Sequence, residues 1–322
     1  MSRKMKIGLI LAACLVGIGV ILFAGLMSLL GWDFSKLSTA RKISNVYEIY
    51  EDFQDISIIV DAADVILVPS DDGTCAVSCY EEEKVEHSVT VESGTLVIRV
   101  QDSRKWYEHI GIFFDTPKIT VSIPQGQYGT LCVRGDTGDV EIGETFTFES
   151  IELLGSTGNA LCRASALDTI KIKRSTGDIC VQSVTVREMG LVVSTGKITV
   201  SDAISLEGVQ VYVTTGKAEL TNIRCKDFYS VGDTGDLLLV NAIAEETLTV
   251  ERDTGDVKFD GSDAGEIFVK TDTGDVTGSL LSEKVFIVRT GTGKIDVPKT
   301  IIGGRCEITT DTGNILLSIT SP

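Results

Sequence analysis

Three acidic pairs share one spacing: Asp233 with Asp236, Asp253 with Asp256 and Asp272 with Asp275 each bracket a Thr-Gly dipeptide, and the pairs recur every nineteen or twenty residues. Two kinds of chemistry suit such a row. Oxygen-only ligands suit a hard cation such as calcium, whereas a line of negative charge suits a cationic peptide or a cationic cell-wall component. From Asp227 to Asp275 the chain holds 13 acidic and three basic residues, which is -10 of a total of -17. If the repeats stack as neighbouring strands about 4.8 Å apart, like charges in water repel by roughly 0.9 kcal/mol per neighbour. Something must offset that repulsion. On one reading each Asp accepts hydrogen bonds from turn amides, as Asp does readily. On the other, calcium or a cationic partner neutralises the edge, and Lys197, Lys217 and Lys294 mark repeats with a built-in positive charge.

The remaining reactive residues point away from catalysis. His87 and His109 are the only histidines, and no Arg, Lys or His cluster accompanies the paired carboxylates. We therefore read no catalytic residues, and a polysaccharide-acting enzyme is the weakest of the functional readings. Of eight cysteines, Cys14 lies in an apolar N-terminal run and seven lie beyond it with no CxxC pair, so the spacing writes neither a zinc site nor a full disulfide set. Cys75 and Cys79, on one strand, stand too far apart to bridge. We read the cysteines as small buried apolar residues, with Cys162 and Cys306 in inward columns. The acidic balance disfavours nucleic acid as a partner.

The scaffold that must carry the Asp pairs is itself periodic. A Thr-Gly dipeptide recurs in register at Thr137, Thr157, Thr176, Thr195, Thr215, Thr234, Thr254, Thr273, Thr292 and Thr312, each nineteen or twenty residues from the next. A period in this range marks stacked supersecondary units. Around each glycine the flanks alternate with period two, as in Val209, Val211 and Val213 before Gly216 and Ala218 and Leu220 after it. The same register gives Met189, Leu191, Val193, Ile198 and Val200 around Gly196, and Ile267, Val269 and Val276 around Gly274. These are strands with one buried face. No unit can bury that face alone, so the units stack as coils. Gly in every copy predicts a positive φ at a corner, and Thr predicts a hydroxyl ladder. The unit is twice the length of the calcium-binding nonapeptide roll, so calcium is not implied by that comparison.

The ends are less regular. Ile56, Ile58, Val60, Ala63, Val65 and Leu67 repeat the register with Ala62-Ala63 in the Thr-Gly slot, which predicts a degenerate first coil. A hairpin over Ser88 to Val100, turning at Ser93-Gly94, and an aromatic loop from Trp106 to Phe114 follow, and are expected to cap the rod. At the far end, a last coil through Ile315 and Leu317 stops at Pro322 and leaves an open strand edge, which predicts end-to-end self-association.

Ile7 to Leu30 carries no charge and is long enough to span a bilayer. Arg3, Lys4 and Lys6 favour a cytoplasmic N-terminus and an exported body, although Lys36, Arg41 and Lys42 soften the asymmetry. Leu11-Ala12-Ala13-Cys14 has the form of a lipoprotein signal, but Leu15 to Leu30 stay apolar where a mature lipoprotein has a polar tether, so an uncleaved span is preferred. The expected organisation is a cytoplasmic tail over 1–6, a transmembrane helix over 7–30, a linker over 31–43, the degenerate coil with its capping hairpin and aromatic loop over 44–125, and the regular solenoid over 126–322.

The repeats Ser175 to Ile179 and Asp253 to Val257, of the form Ser/Asp-Thr-Gly-Asp-Ile/Val, and the membrane segment before Trp32-Asp33-Phe34 resemble the bacterial putative-adhesin β-strand-repeat family of Firmicutes envelope proteins. The resemblance covers nearly the whole chain. It implies an all-β fold, a right-handed parallel β-helix outside the cytoplasmic membrane, and it supplies no catalytic or binding residues to carry over. The leading expectation is an envelope binding or sensing module without catalysis, with a structural or homotypic adhesion rod as the alternative.

Overall fold

Strands of alternating polarity that each expose one apolar face are stable only when another strand layer covers that face. The computed structural model, which describes residues 3–32, 42–104 and 116–320, meets this requirement with an all-β solenoid of about ten turns and one N-terminal helix. The aromatic loop at 106–114, His109, the linker residues 33–41 and Pro322 lie outside the described residues. The helix, Arg3–Leu29, includes a stretch from Met5 to Leu29 long and apolar enough to cross a membrane.

Every inward column expected from the alternation is buried, from Val209, Val211, Val213, Ala218 and Leu220 to Cys162 and Cys306. Coils pair in parallel with Thr on Thr: Thr176 on Thr195, Thr195 on Thr215, Thr215 on Thr234, Thr234 on Thr254 and Thr254 on Thr273. The ten glycines of the Thr-Gly repeat take φ from +119° to +158°. All of their amides except that of Gly293 donate to the Thr carbonyl of the adjacent coil, as Gly216 N does to Thr234 O at 2.9 Å. The ladder at this corner is therefore made by backbone. The Thr side chains are exposed, and among the described residues no hydroxyl-to-hydroxyl bond links them, contrary to the expected Thr ladder.

A second corner follows six residues after the glycine. Ser183, Asp202, Asn222 and Asn241 have φ between +48° and +55°, and Gly261 sits in the same slot. Asn and Asp tolerate the left-handed region better than other side chains. Here they also bond along the column, Asn222 Nδ2 to Asp202 Oδ1 and Asn241 Nδ2 to Asn222 Oδ1, both at 2.9 Å.

At both ends the order of coils along the rod departs from the order of the chain. The strand Asp55–Ala62 lies between Thr95–Asp102 and Gly126–Thr137, with Ala62 opposite Thr137, so the degenerate coil is the second parallel tier, and Thr95–Asp102 and Lys118–Ile123 belong to the first. Beyond that tier the chain runs backwards. Val85–Glu92 pairs antiparallel with Thr95–Asp102 through the Ser93-Gly94 turn, and Cys75–Glu82 pairs antiparallel with Lys118–Ile123. Lys42–Ile49 covers Cys75–Glu82 as the outer edge. Reversal of strand direction thus closes this end.

The far end corrects a second expectation. Gly304–Thr312 is inserted between Val257–Thr273 and Lys284–Thr292, and Ile315–Ile319 likewise lies between Val276–Leu280 and Ile295–Asp296. The last coil in sequence is enclosed, and the open edge belongs to the preceding one. Its inward residues Phe286, Val288 and Val297 are only partly buried. The enclosed coil offers glycine where the chain must pass closely: a Cβ on Gly304 would overlap the carbonyl of Gly265. Lys284 is buried at this end and pairs with Asp263 at 2.7 Å.

Candidate functional site

Stacking brings the six sequence-predicted carboxylates to one corner, in two columns with different environments. The inner column, one residue after each glycine, is engaged by backbone: Asp236 Oδ1 accepts the amide of Asp256 at 3.2 Å, Asp256 Oδ1 that of Asp275 at 2.8 Å, and Asp275 Oδ1 that of Asn314 at 2.7 Å. The pattern extends down the rod through Asp64, Asp139, Asn159 and Asp178. Each Asx side chain therefore caps the corner of the adjacent coil instead of its own turn. The outer column of Asp233, Asp253 and Asp272 is exposed and accepts no side-chain hydrogen bond among the described residues.

The protein supplies some of the compensating charge itself. Lys217 Nζ lies 2.8 Å from Asp236, and this contact holds the Asp236 carboxyl below its usual range while raising Lys217. A second source is internal. Three residues before the corner glycine the inward column reads Gly155, Arg174, Val193, Val213, Gly232, Arg252, and both arginines are buried. Each sits beside a glycine of the adjacent coil, because a Cβ at Gly155 or Gly232 would overlap the guanidinium. Arg252 Nη2 donates to Ser230 Oγ at 2.8 Å, while its Nε and Nη1 have no hydrogen-bond partner among the described residues. Burial pushes this guanidinium down to about 10, opposed by the charge of Asp236. A cation thus lies beneath the acidic corner.

A second cluster of reactive groups lies in the antiparallel cap. Cys79 and Glu81 alternate onto the inward face of one strand, and His87 faces them from the next; all three are buried. Glu81 Oε1 accepts Asn45 Nδ2 at 2.8 Å, and Oε2 accepts the His87 amide at 2.7 Å and lies 2.6 Å from His87 Nδ1. Tyr47 from the edge strand donates to the His87 carbonyl at 3.1 Å. Burial, with the charge of Glu81, pushes the Cys79 thiol up to about 12 and raises the Tyr47 phenol. A cavity of about 320 Å³ reaches His87 and is lined also by Asp61, Glu82, Arg104 and Pro117. The cysteines are all free among the described residues.

Three features escaped the sequence. The left-handed corner was visible as Ser, Asp, Asn, Asn and Gly at the Thr-Gly period. The buried arginines carried a weaker signal, each following a glycine one coil earlier in the same column. The cap cluster carried none, since its residues belong to no repeat.

Comparison with known proteins agrees with this architecture. The family model described as Toastrack DUF4097 matches residues 53–251 and 194–321. A solved structure of a putative lipid binding protein from Parabacteroides distasonis ATCC 8503 is 16% identical, covers 75% of this chain and 95% of its own, and superposes with a TM-score of 0.50, which shows a common fold. A putative adhesin from Bacteroides fragilis NCTC 9343 is 15% identical with a TM-score of 0.44, covering 86% of this chain and 97% of its own. No curated protein matches the sequence.

Proposed function

Since the chain belongs to the Toastrack DUF4097 family, we propose that it is a single-pass envelope protein whose body lies outside the cytoplasmic membrane and binds a cationic partner along the acidic corner. The observation that carries this reading is the outer Asp column: Asp233, Asp253 and Asp272 project from three successive coils held in register by Thr-on-Thr pairing. A rigid row at strand spacing is a multivalent array, so a linear cationic peptide or a cationic cell-wall component gains from every coil it crosses. The short, uniform turns of the coils around the corner favour binding over catalysis. The basic residues Arg3, Lys4 and Lys6 before the helix favour the outward body.

Asp233→Asn, Asp253→Asn and Asp272→Asn combined should weaken salt-sensitive binding of an oligolysine peptide to the full chain at least tenfold, measured by titration in detergent, with the melting temperature unchanged or slightly raised. Unchanged affinity overturns the reading. Calcium is the competing occupant of the same column. A calcium-dependent rise in melting temperature that the triple variant abolishes, without peptide binding in the parent, would make the corner an ion site instead.

The open end supports a second reading, homotypic contact. Phe286 and Val288 are inward yet only partly buried, and Ile287 is 50% exposed on the same edge strand. An unpaired edge of this kind invites strand addition. Concentration-dependent association of the full chain, followed by sedimentation in detergent, is expected to be abolished by Val288→Lys and unaffected by a lysine extension after the C-terminus. Association that survives Val288→Lys would place the contact elsewhere.

A further inference from the structure

We propose that the cap holds a zinc ion bound by Cys79 Sγ, a Glu81 carboxylate oxygen and His87 Nδ1. The ligand atoms of these three residues all lie within 4.8 Å of one another, and among the described residues no other trio of Cys, His and acidic side chains converges in this way. All three are more than nine-tenths buried, at 0%, 1% and 4% exposure. A thiolate, an imidazole and a carboxylate are a zinc ligand set, and the thiolate selects against the hard cations considered for the acidic corner. Three protein ligands leave a fourth position for water, and the cavity of about 320 Å³ borders the trio at His87.

The supporting contacts resemble those that orient metal ligands in general. Asn45 Nδ2 holds Glu81 Oε1, the His87 amide holds Glu81 Oε2, and Tyr47 fixes the His87 carbonyl. Two of these restraints, from Asn45 and Tyr47, come from the edge strand Lys42–Ile49, and the third, the His87 amide, from Val85–Glu92.

Zinc is bound by the thiolate form of cysteine, so the Cys79 thiol must give up its proton as the ion enters, and binding is accompanied by proton release.

The test uses the full chain in detergent, stripped of metal with a chelator under reducing conditions and titrated with cobalt(II) and then zinc. We expect one equivalent of cobalt to give an intense thiolate-to-cobalt charge-transfer band that zinc bleaches, with proton release on metal binding in weakly buffered solution. Cys79→Ser should remove the band and weaken zinc binding at least tenfold, whereas Cys75→Ser, which alters the neighbouring buried thiol, should keep both. Absence of stoichiometric zinc binding by the parent chain, a band that persists in Cys79→Ser, or binding without proton release would each overturn the assignment. The parent measurement decides even if a variant fails to fold, and none of these readouts depends on the acidic corner.

Discussion

Gly235→Val is expected to destabilise the protein by about 4 kcal/mol or more, among the largest effects of any single substitution. Two causes act together. Gly235 has a φ of +132°, a conformation that a β-branched residue adopts only under strain. In addition, a Cβ there would fall inside the van der Waals radius of the Gly216 carbonyl oxygen one coil away, an atom of backbone that cannot swing aside. The neighbouring amide bond from Gly235 N to Thr254 O, at 2.8 Å, ties the next coil to the same spot, so relief by moving the corner costs a ladder bond. At roughly 2–4 °C per kcal/mol for a body of this size, thermal unfolding followed by circular dichroism should shift down by about 10 °C or the protein should fail to fold. Gly216→Val should behave alike, with the Gly196 carbonyl as the obstacle. An unchanged melting temperature in either variant would remove the glycine column from the account of the corner.

The second large effect concerns the buried cation. Gly232→Ala should cost on the order of 2–3 kcal/mol, because the new methyl overlaps Arg252 Nη1 and comes within 2.8 Å of the Val213 carbonyl. Arg252→Val alone removes a guanidinium whose Nε and Nη1 lack partners, but leaves unfilled space beside Gly232 and withdraws the positive charge below Asp236. Those changes oppose one another, so its net effect should be small. Combined, Gly232→Ala and Arg252→Val should restore most of the stability lost in the alanine variant, because Val193 and Val213 already fill this column in adjacent coils. The coupling between the two sites is therefore expected to be roughly 1–3 kcal/mol by a double-mutant cycle in chemical denaturation. Strictly additive effects would show that the glycine is not there to admit the arginine.

The two predictions bear on one physical question, namely how a column of like charges persists on a stacked corner. Repulsion of roughly 0.9 kcal/mol per neighbour at strand spacing is met by several small terms. The inner carboxylates each accept a backbone amide, Lys217 pairs with Asp236, and Arg252 lies beneath them. None of these reaches Asp233, Asp253 or Asp272, and for that reason the outer column is the part of the corner assigned to a partner.

Much of the fold was legible in the residues. Alternation around Gly196, Gly216 and Gly274 determined which side chains face inward, because a strand can present only every second residue to one side. Thr-Gly determined the corner, because glycine at ten positions nineteen or twenty residues apart has few explanations besides a repeated tight turn. The six aspartates followed from the same register, so their arrangement on one edge needed no coordinates.

What the tertiary structure decided was neighbourhood. The inward columns of Ile56, Leu96 and Leu131, or of Ile267, Phe286 and Cys306, are chemically alike, so the sequence contains no term that says which coil lies on which. Only long-range packing inserts residues 304–319 ahead of 284–296 and places Thr95–Asp102 and Lys118–Ile123 outside 55–69. The cap cluster depends on the same choice: Cys79, Glu81 and His87 meet because the chain reverses direction there, and a reversed coil breaks the period from which every other residue could be placed. Periodicity thus determined this protein wherever neighbours repeat, and tertiary structure decided it wherever the chain leaves the repeat and long-range pairing alone selects the partner.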